Sequence, residues 1–259
     1  MAPAVLFRSA VALAGRFPAL SGVDLTVDPG EIVVVLGPNG SGKTSLLRTC
    51  AGLLSVASGR AEVLGHDLRR ERTEVRRVVG LLGHGVALYD ELTARENVRF
   101  ALRGYRLPPS LADPALERLG LVGRLARTEV GRLSAGQRRR AALALLVARA
   151  PALWLLDEPH TGLDADARVL LGGLVAEAAQ GGGSVLFTSH EPELAEPLAD
   201  RVVTMVGGRV GDERPGARVP PASVAVPAPG ELARPLGGGP FDRGAEHRPE
   251  GDRMGSHVA

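Results

Sequence analysis

The feature that most constrains this chain is a glycine-rich turn set between a buried strand and a helix. Glu31 to Leu36 reads as a parallel strand, because both of its faces are apolar. Gly37, Pro38, Asn39, Gly40, Ser41, Gly42, Lys43, Thr44 and Ser45 follow, and a helical stretch is expected over residues 43–54. Glycines let successive backbone N–H groups turn inward and approach an anion closely. The helix adds the partial positive charge of its N-terminus. Lys43 supplies a full charge for the β- and γ-phosphates, and Thr44 a hydroxyl for Mg²⁺. The expected ligand is therefore ATP with Mg²⁺, held by residues 37–45. Composition sharpens this reading: among 31 basic residues, Lys43 is the only lysine.

Further strands are expected at residues 152–156, 184–188 and 201–206, with helices over 135–150 and 166–180 between them. Strands alternating with helices predict an α/β fold around a mostly parallel sheet, with the turn as its P-loop. Residues 5–13 and 22–27 read as short antiparallel strands forming a β subdomain. From about Asp90 to Gly131 strand signals are lacking. Leu92, Val98, Leu102, Leu116, Leu119 and Leu121 instead anchor a small helical subdomain, placed at about 85–135 and broken at Pro108-Pro109. The domain is expected to span 1–211. Residues 212–259, rich in Pro, Gly and Ala, read as a disordered tail.

Two acids end the strand at 152–156. Asp157, at its tip, is expected to hold Mg²⁺ through water, and Glu158 to orient or deprotonate an attacking water. Taken alone, such a pair is as readily an acidic strand cap. His190, after the strand at 184–188, is placed to donate to the γ-phosphate.

Several function classes drop away. A net charge of +2, with arginines interspersed among acids, gives no basis for nucleic-acid binding. The run Arg138-Arg-Arg140 reads as a solvated helix face. The single cysteine, Cys50, fits a reducing compartment. No apolar run reaches the length of a membrane span, and no signal peptide is evident. The expected location is thus the cytoplasm.

Leu133-Ser-Ala-Gly-Gln137 resembles the signature motif of ABC ATPases, with Ala135 in place of its first glycine. The order of P-loop, signature, acidic strand, Asp164 in Thr161-Gly-Leu-Asp164, and His190 also matches that family over residues 5–209. The resemblance implies an ABC-type nucleotide-binding domain acting as an ATPase coupled to transport. It implies a homodimer in which Ser134, Ala135, Gly136 and Gln137 of one protomer engage the ATP held by the other. A separate membrane permease is the implied partner, which places the chain peripherally on the cytoplasmic face of the membrane.

Two departures from the pattern follow. No glutamine lies between the P-loop and the signature; the equivalent position is His84 in Gly83-His-Gly85, which takes the catalytic place. The aromatic expected to stack on adenine near residue 14 is missing, and Phe17 is the candidate instead. Gly83-His84, Leu88-Tyr-Asp-Glu-Leu-Thr-Ala-Arg-Glu-Asn97-Val-Arg-Phe100, Trp154 and Ala135 are similar to the haem-exporter ATPases of cytochrome c biogenesis. His160 in Asp157-Glu-Pro-His160 departs from that subfamily, which leaves another exporter as the alternative and a soluble ABC ATPase as a more distant one.

Overall fold

The computed structural model describes residues 2–83, 85 and 87–218. His84 and residues 219–259, most of the expected tail, lie outside the described residues.

A six-stranded sheet carries the core. Its strands are β3 (Ile32–Leu36), β6 (Val79–Leu82), β7 (Leu153–Leu156), β8 (Ser184–Ser189), β9 (Arg201–Val206) and β10 (Arg209–Pro215), in the order β10-β9-β3-β8-β7-β6. All pairs are parallel except β9 with β10. A four-stranded antiparallel sheet orders as β2-β1-β4-β5, from β1 (Val5–Ala14), β2 (Phe17–Val27), β4 (Ser55–Val63) and β5 (His66–Asp67).

Period-two alternation divides the interior into two cores. Ile32, Val34 and Leu36 face one side of β3, with Trp154, Leu156, Val185 and Phe187 beside them. That face is covered by α3 (Ala94–Gly104), α4 (Ala112–Arg118), α5 (Ala135–Arg149) and α6 (Ala165–Gln180). Val33 and Val35 face the other way, into a core shared with α1 (Lys43–Cys50) and the antiparallel sheet. There Leu46, Leu47 and Cys50 meet Phe7, Leu25 and Val63. Burial raises the Cys50 thiol far above its ordinary range, so it serves as a small apolar side chain. Strand β3 is buried on both faces, as its sequence requires.

The helical subdomain begins with a capping box. Thr93 Oγ1 accepts from Glu96 N at 3.1 Å, and Glu96 Oε2 accepts from Thr93 N at 2.9 Å. Val98 and Leu102 on α3 then pack on Leu116, Leu119 and Leu121. Pro108 and Pro109 mark the break, with a short 3-10 turn at Pro109–Leu111 before α4.

Several elements have no counterpart in the expected set, among them β4, β5, β6 and α2 (Arg72–Val78). At the far edge, β10 continues to Pro215, past the boundary expected at residue 211. Two of its charges, Glu213 and Arg214, are paired. Arg201 Nη1 donates to Glu213 Oε2 at 2.6 Å, and Arg214 pairs with Glu196. Arg218 Nη1 then bridges both carboxylate oxygens of Asp200, at 3.0 and 2.9 Å. Among the described residues, no helix is long and apolar enough to cross a membrane.

Candidate functional site

The glycine-rich turn hangs from the end of β3 and opens α1. Gly37, Gly40 and Gly42 adopt φ of 154°, 78° and 107°. Gly37 also has no room for a side chain, since a Cβ there would lie 2.3 Å from the Met205 carbonyl oxygen. The first turn of α1 holds no acid, which leaves its N–H groups open to an anion. Ser41 Oγ is buried without a hydrogen-bond partner among the described residues, as a group awaiting a phosphate oxygen would be. Lys43 is 6% exposed; its Nζ donates to Gly37 O at 2.7 Å and Pro38 O at 3.1 Å.

Strand β7 runs beside β8 and delivers the two acids to this cradle. Thr44 Oγ1 donates to Asp157 Oδ2 at 2.9 Å and lies 3.2 Å from Oδ1. Glu158 Oε1 lies 3.9 Å from Lys43 Nζ. On its other oxygen, Oε2 accepts from His190 Nδ1 at 2.8 Å and His190 N at 3.3 Å. Lys43, Thr44, Asp157, Glu158 and His190 are thus brought together from three segments. In this arrangement His190 addresses Glu158 rather than standing alone.

Sequence reading missed three buried polar side chains near the acids. Thr188, at the end of β8, donates to Asp157 Oδ1 at 2.8 Å and accepts from Glu158 N at 3.0 Å. Arg139 corrects the reading of Arg138-Arg-Arg140 as a solvated face. It is 5% exposed, and its Nη2 donates to Asp157 O at 2.7 Å. Only Arg138 and Arg140 remain partly open to solvent. The α5 helix turns Arg139 inward, onto the ends of β6 and β7, a neighbourhood no local pattern reveals.

His160 is the third, and it is 4% exposed, edge-on to Phe187 with centroids 6.2 Å apart. Burial pushes its imidazole from 6.5 down to about 4; Arg168 and Arg139 act the same way and Glu191 opposes them. The unfolded chain therefore binds a proton that the folded chain refuses in the window between those values. Folding stability should fall as pH drops from about 6.5 towards 4. His160→Phe, of similar shape, should flatten this dependence in denaturant titrations. An unchanged slope would assign the effect to another group.

The signature segment opens α5. Ser134 Oγ accepts from Gln137 N at 3.2 Å while Gln137 Oε1 accepts from Ser134 N at 3.0 Å. Ser134 and Ala135 are exposed. A Cβ at Gly136 would come within 3.1 Å of the Gly162 carbonyl oxygen, so the signature packs closely on Thr161-Gly162. Asp164 caps α6, its Oδ1 accepting from Ala167 N at 2.8 Å. Phe17 sits at the β1–β2 turn and is 79% exposed. It shares β2 with Ala19, whose carbonyl oxygen lies 3.1 Å from the Cβ position of Gly42.

Known proteins are similar to this chain. The ABC transporter family model matches residues 20–161. The cytochrome c biogenesis ATP-binding export protein CcmA of Nitrosomonas europaea is 41% identical over 71% of this chain and 87% of its own length. The daunorubicin resistance ATP-binding protein DrrA3 of Streptomyces coeruleorubidus is 43% identical over 76% of this chain, but the match spans only 63% of that longer protein. A solved dimeric ATP-binding cassette in a post-hydrolysis state, bound to ADP and Pi, superposes with a TM-score of 0.73 at 27% identity, covering 83% of this chain and 99% of the other. Fold and relatives agree, and the chain belongs to the ABC transporter family as an ATP-binding subunit, an ATPase whose turnover is coupled to transport.

Proposed function

We propose that two copies of this chain bind two ATP molecules between them and drive a separate membrane permease that exports haem for cytochrome c assembly. The observation that carries the catalytic part is the convergence of Lys43, Thr44, Asp157, Glu158 and His190 at the ends of β3, β7 and β8. Residues 37–45 take the triphosphate. Thr44 and Asp157 offer hard oxygen donors suited to Mg²⁺, which when bound offsets phosphate charge. Glu158 accepts the proton of the attacking water as its oxygen bonds the γ-phosphorus and the bond to ADP breaks. His190 holds the Glu158 carboxylate in place and meets the γ-phosphate, and His84 serves in the glutamine position. Phe17 is assigned to the adenine.

The exposed signature supports a shared site. Ser134 to Gln137 form a second helix N-terminus with anion-binding character, and it is turned outward. In this reading it meets the ATP of the partner protomer, with Asp164 nearby. Mixing two inactive variants tests the arrangement. A heterodimer of Lys43→Ala with Ser134→Ala would keep one intact composite site and lose the other. Hydrolysis in the mixture, well above that of either variant alone, is expected; none would sink the two-chain site.

The cargo reading rests on CcmA relatives, on Gly83-His84 and on Ala135. A drug exporter is the second reading, favoured by the 43% identity to DrrA3. Identifying the membrane subunit that co-purifies with this chain separates them. A permease encoded with cytochrome c maturation proteins supports haem export, and one encoded apart from them supports the rival. The peripheral, cytoplasmic-face location follows from that same partner.

A further inference from the structure

Arg139 stands in the first turns of α5, the helix that Ser134 caps. Its guanidinium spans the ends of two neighbouring strands. Nη1 donates to Gly83 O at 2.8 Å, just past β6. Nη2 donates to Asp157 O at 2.7 Å and to Glu158 O at 2.9 Å, just past β7. Asp157 N already donates to Leu82 O at 2.8 Å, so the two strand ends form one unit that Arg139 grips from the helix side.

The residue it grips is strained. Glu158 has φ 47°, in the left-handed region that glutamate rarely enters. Such a conformation persists when the surroundings over-determine it. Here the Glu158 N–H is held by Thr188 from β8, and the Glu158 carbonyl by Arg139 from α5. Burial lowers the pKa of the guanidinium, while the charges of Asp157 and Glu158 raise it. A desolvated cation in such a place needs its carbonyl partners, and they in turn fix its position.

We propose that Arg139 is a positioning residue that ties the signature-bearing helix α5 to the backbone of Glu158 and to Gly83, where the segment containing His84 begins. The proposal rests on the ATPase reading above. Its chemistry is particular to arginine. The planar fork presents donors on two sides at once, whereas a lysine ammonium is a point charge and a glutamine has a single amide nitrogen. A shift of α5 against the core therefore moves the peptide that carries the catalytic carboxylate. The signature helix and the hydrolytic residue become one mechanical unit, with no side chain of Arg139 touching nucleotide.

The test compares Arg139→Gln and Arg139→Lys with wild type in the full chain. At saturating Mg-ATP, kcat should fall about tenfold or more, because misplacing a reacting group by about 1 Å costs up to about 100-fold. Nucleotide affinity, set by the Lys43 cradle, should stay within about twofold of wild type. With binding intact and hydrolysis slowed, Arg139→Gln should also accumulate an ATP-bound dimer on size-exclusion chromatography. A purely structural Arg139 would lower the melting temperature and leave kcat per folded molecule unchanged. That result overturns the proposal, as does affinity falling in step with kcat. If Arg139→Gln does not fold, Arg139→Lys carries the same comparison of kcat with affinity. Wild type and Glu158→Gln are assayed alongside. Wild type active with Glu158→Gln silent retains the ATPase reading whatever Arg139 does; wild type unable to hydrolyse ATP removes that reading instead.

Discussion

Glu158→Gln should reduce ATP hydrolysis by about 10²- to 10⁴-fold, the range that a positioned general base contributes. It should also convert the chain with Mg-ATP into a stable dimer. Glutamine matches glutamate in size and meets the same backbone strain at φ 47°, so conformational cost largely cancels in the comparison. What changes is the charge and the ability to take a proton. The amide can still accept one hydrogen bond from His190, whose Nδ1 now lies 2.8 Å from Oε2. The cradle of residues 37–45 is untouched, so ATP binding survives. Colorimetric phosphate release measures the first effect and light scattering the second. A variant that hydrolyses at the wild-type rate removes Glu158 from the base role. One that stays monomeric with Mg-ATP argues against the shared-site dimer.

Lys43→Ala should weaken ATP binding by about 100-fold or more. Removing one partner from a buried charge pair costs about 3–5 kcal/mol, and each 1.4 kcal/mol is tenfold in affinity. The chain contains no second lysine to take its place. Without nucleotide the cost to the fold should be small. The carbonyls that Lys43 caps, Gly37 O and Pro38 O, belong to its own loop, and Pro38 is exposed. Thermal unfolding therefore separates the two effects. Wild type should gain melting temperature with Mg-ATP by mass action, and the variant should not. An equal gain in both would refute the cradle assignment.

Lys43 is readable from sequence because its chemistry is local. A phosphate cradle is made by consecutive backbone N–H groups, so its glycines, lysine and threonine must be contiguous. Asp157 and Glu158 are legible only beside that cradle: an apolar strand ending in two acids is by itself as readily a strand cap, and the P-loop upstream decides for the site. The capping boxes at Thr93-Glu96 and Ser134-Gln137 are local as well, each closed within one turn. Strands buried on both faces announce their place in a parallel sheet through unbroken apolar runs, as β3 and β7 do.

Other features carry no such mark. Val79–Leu82 contains Gly80, which weakens a strand signal, and its identity comes from parallel pairing with β7. The charges in and just after β10 looked like the start of a tail, yet Glu213, Arg214 and Arg218 are paired with Arg201, Glu196 and Asp200. Thr188 looked like one more strand residue, His160 like a departure from the haem-exporter pattern, and Arg139 like the middle of a solvated triplet. Residue type and spacing determined the phosphate cradle, the acids and the alternation of elements, because those depend on backbone geometry over a few residues. Strand order alone decided the rest. Placing β8 and β6 on either side of β7 brings Thr188, Gly83 and Arg139 to one strand end, a convergence of distant segments that no local periodicity encodes.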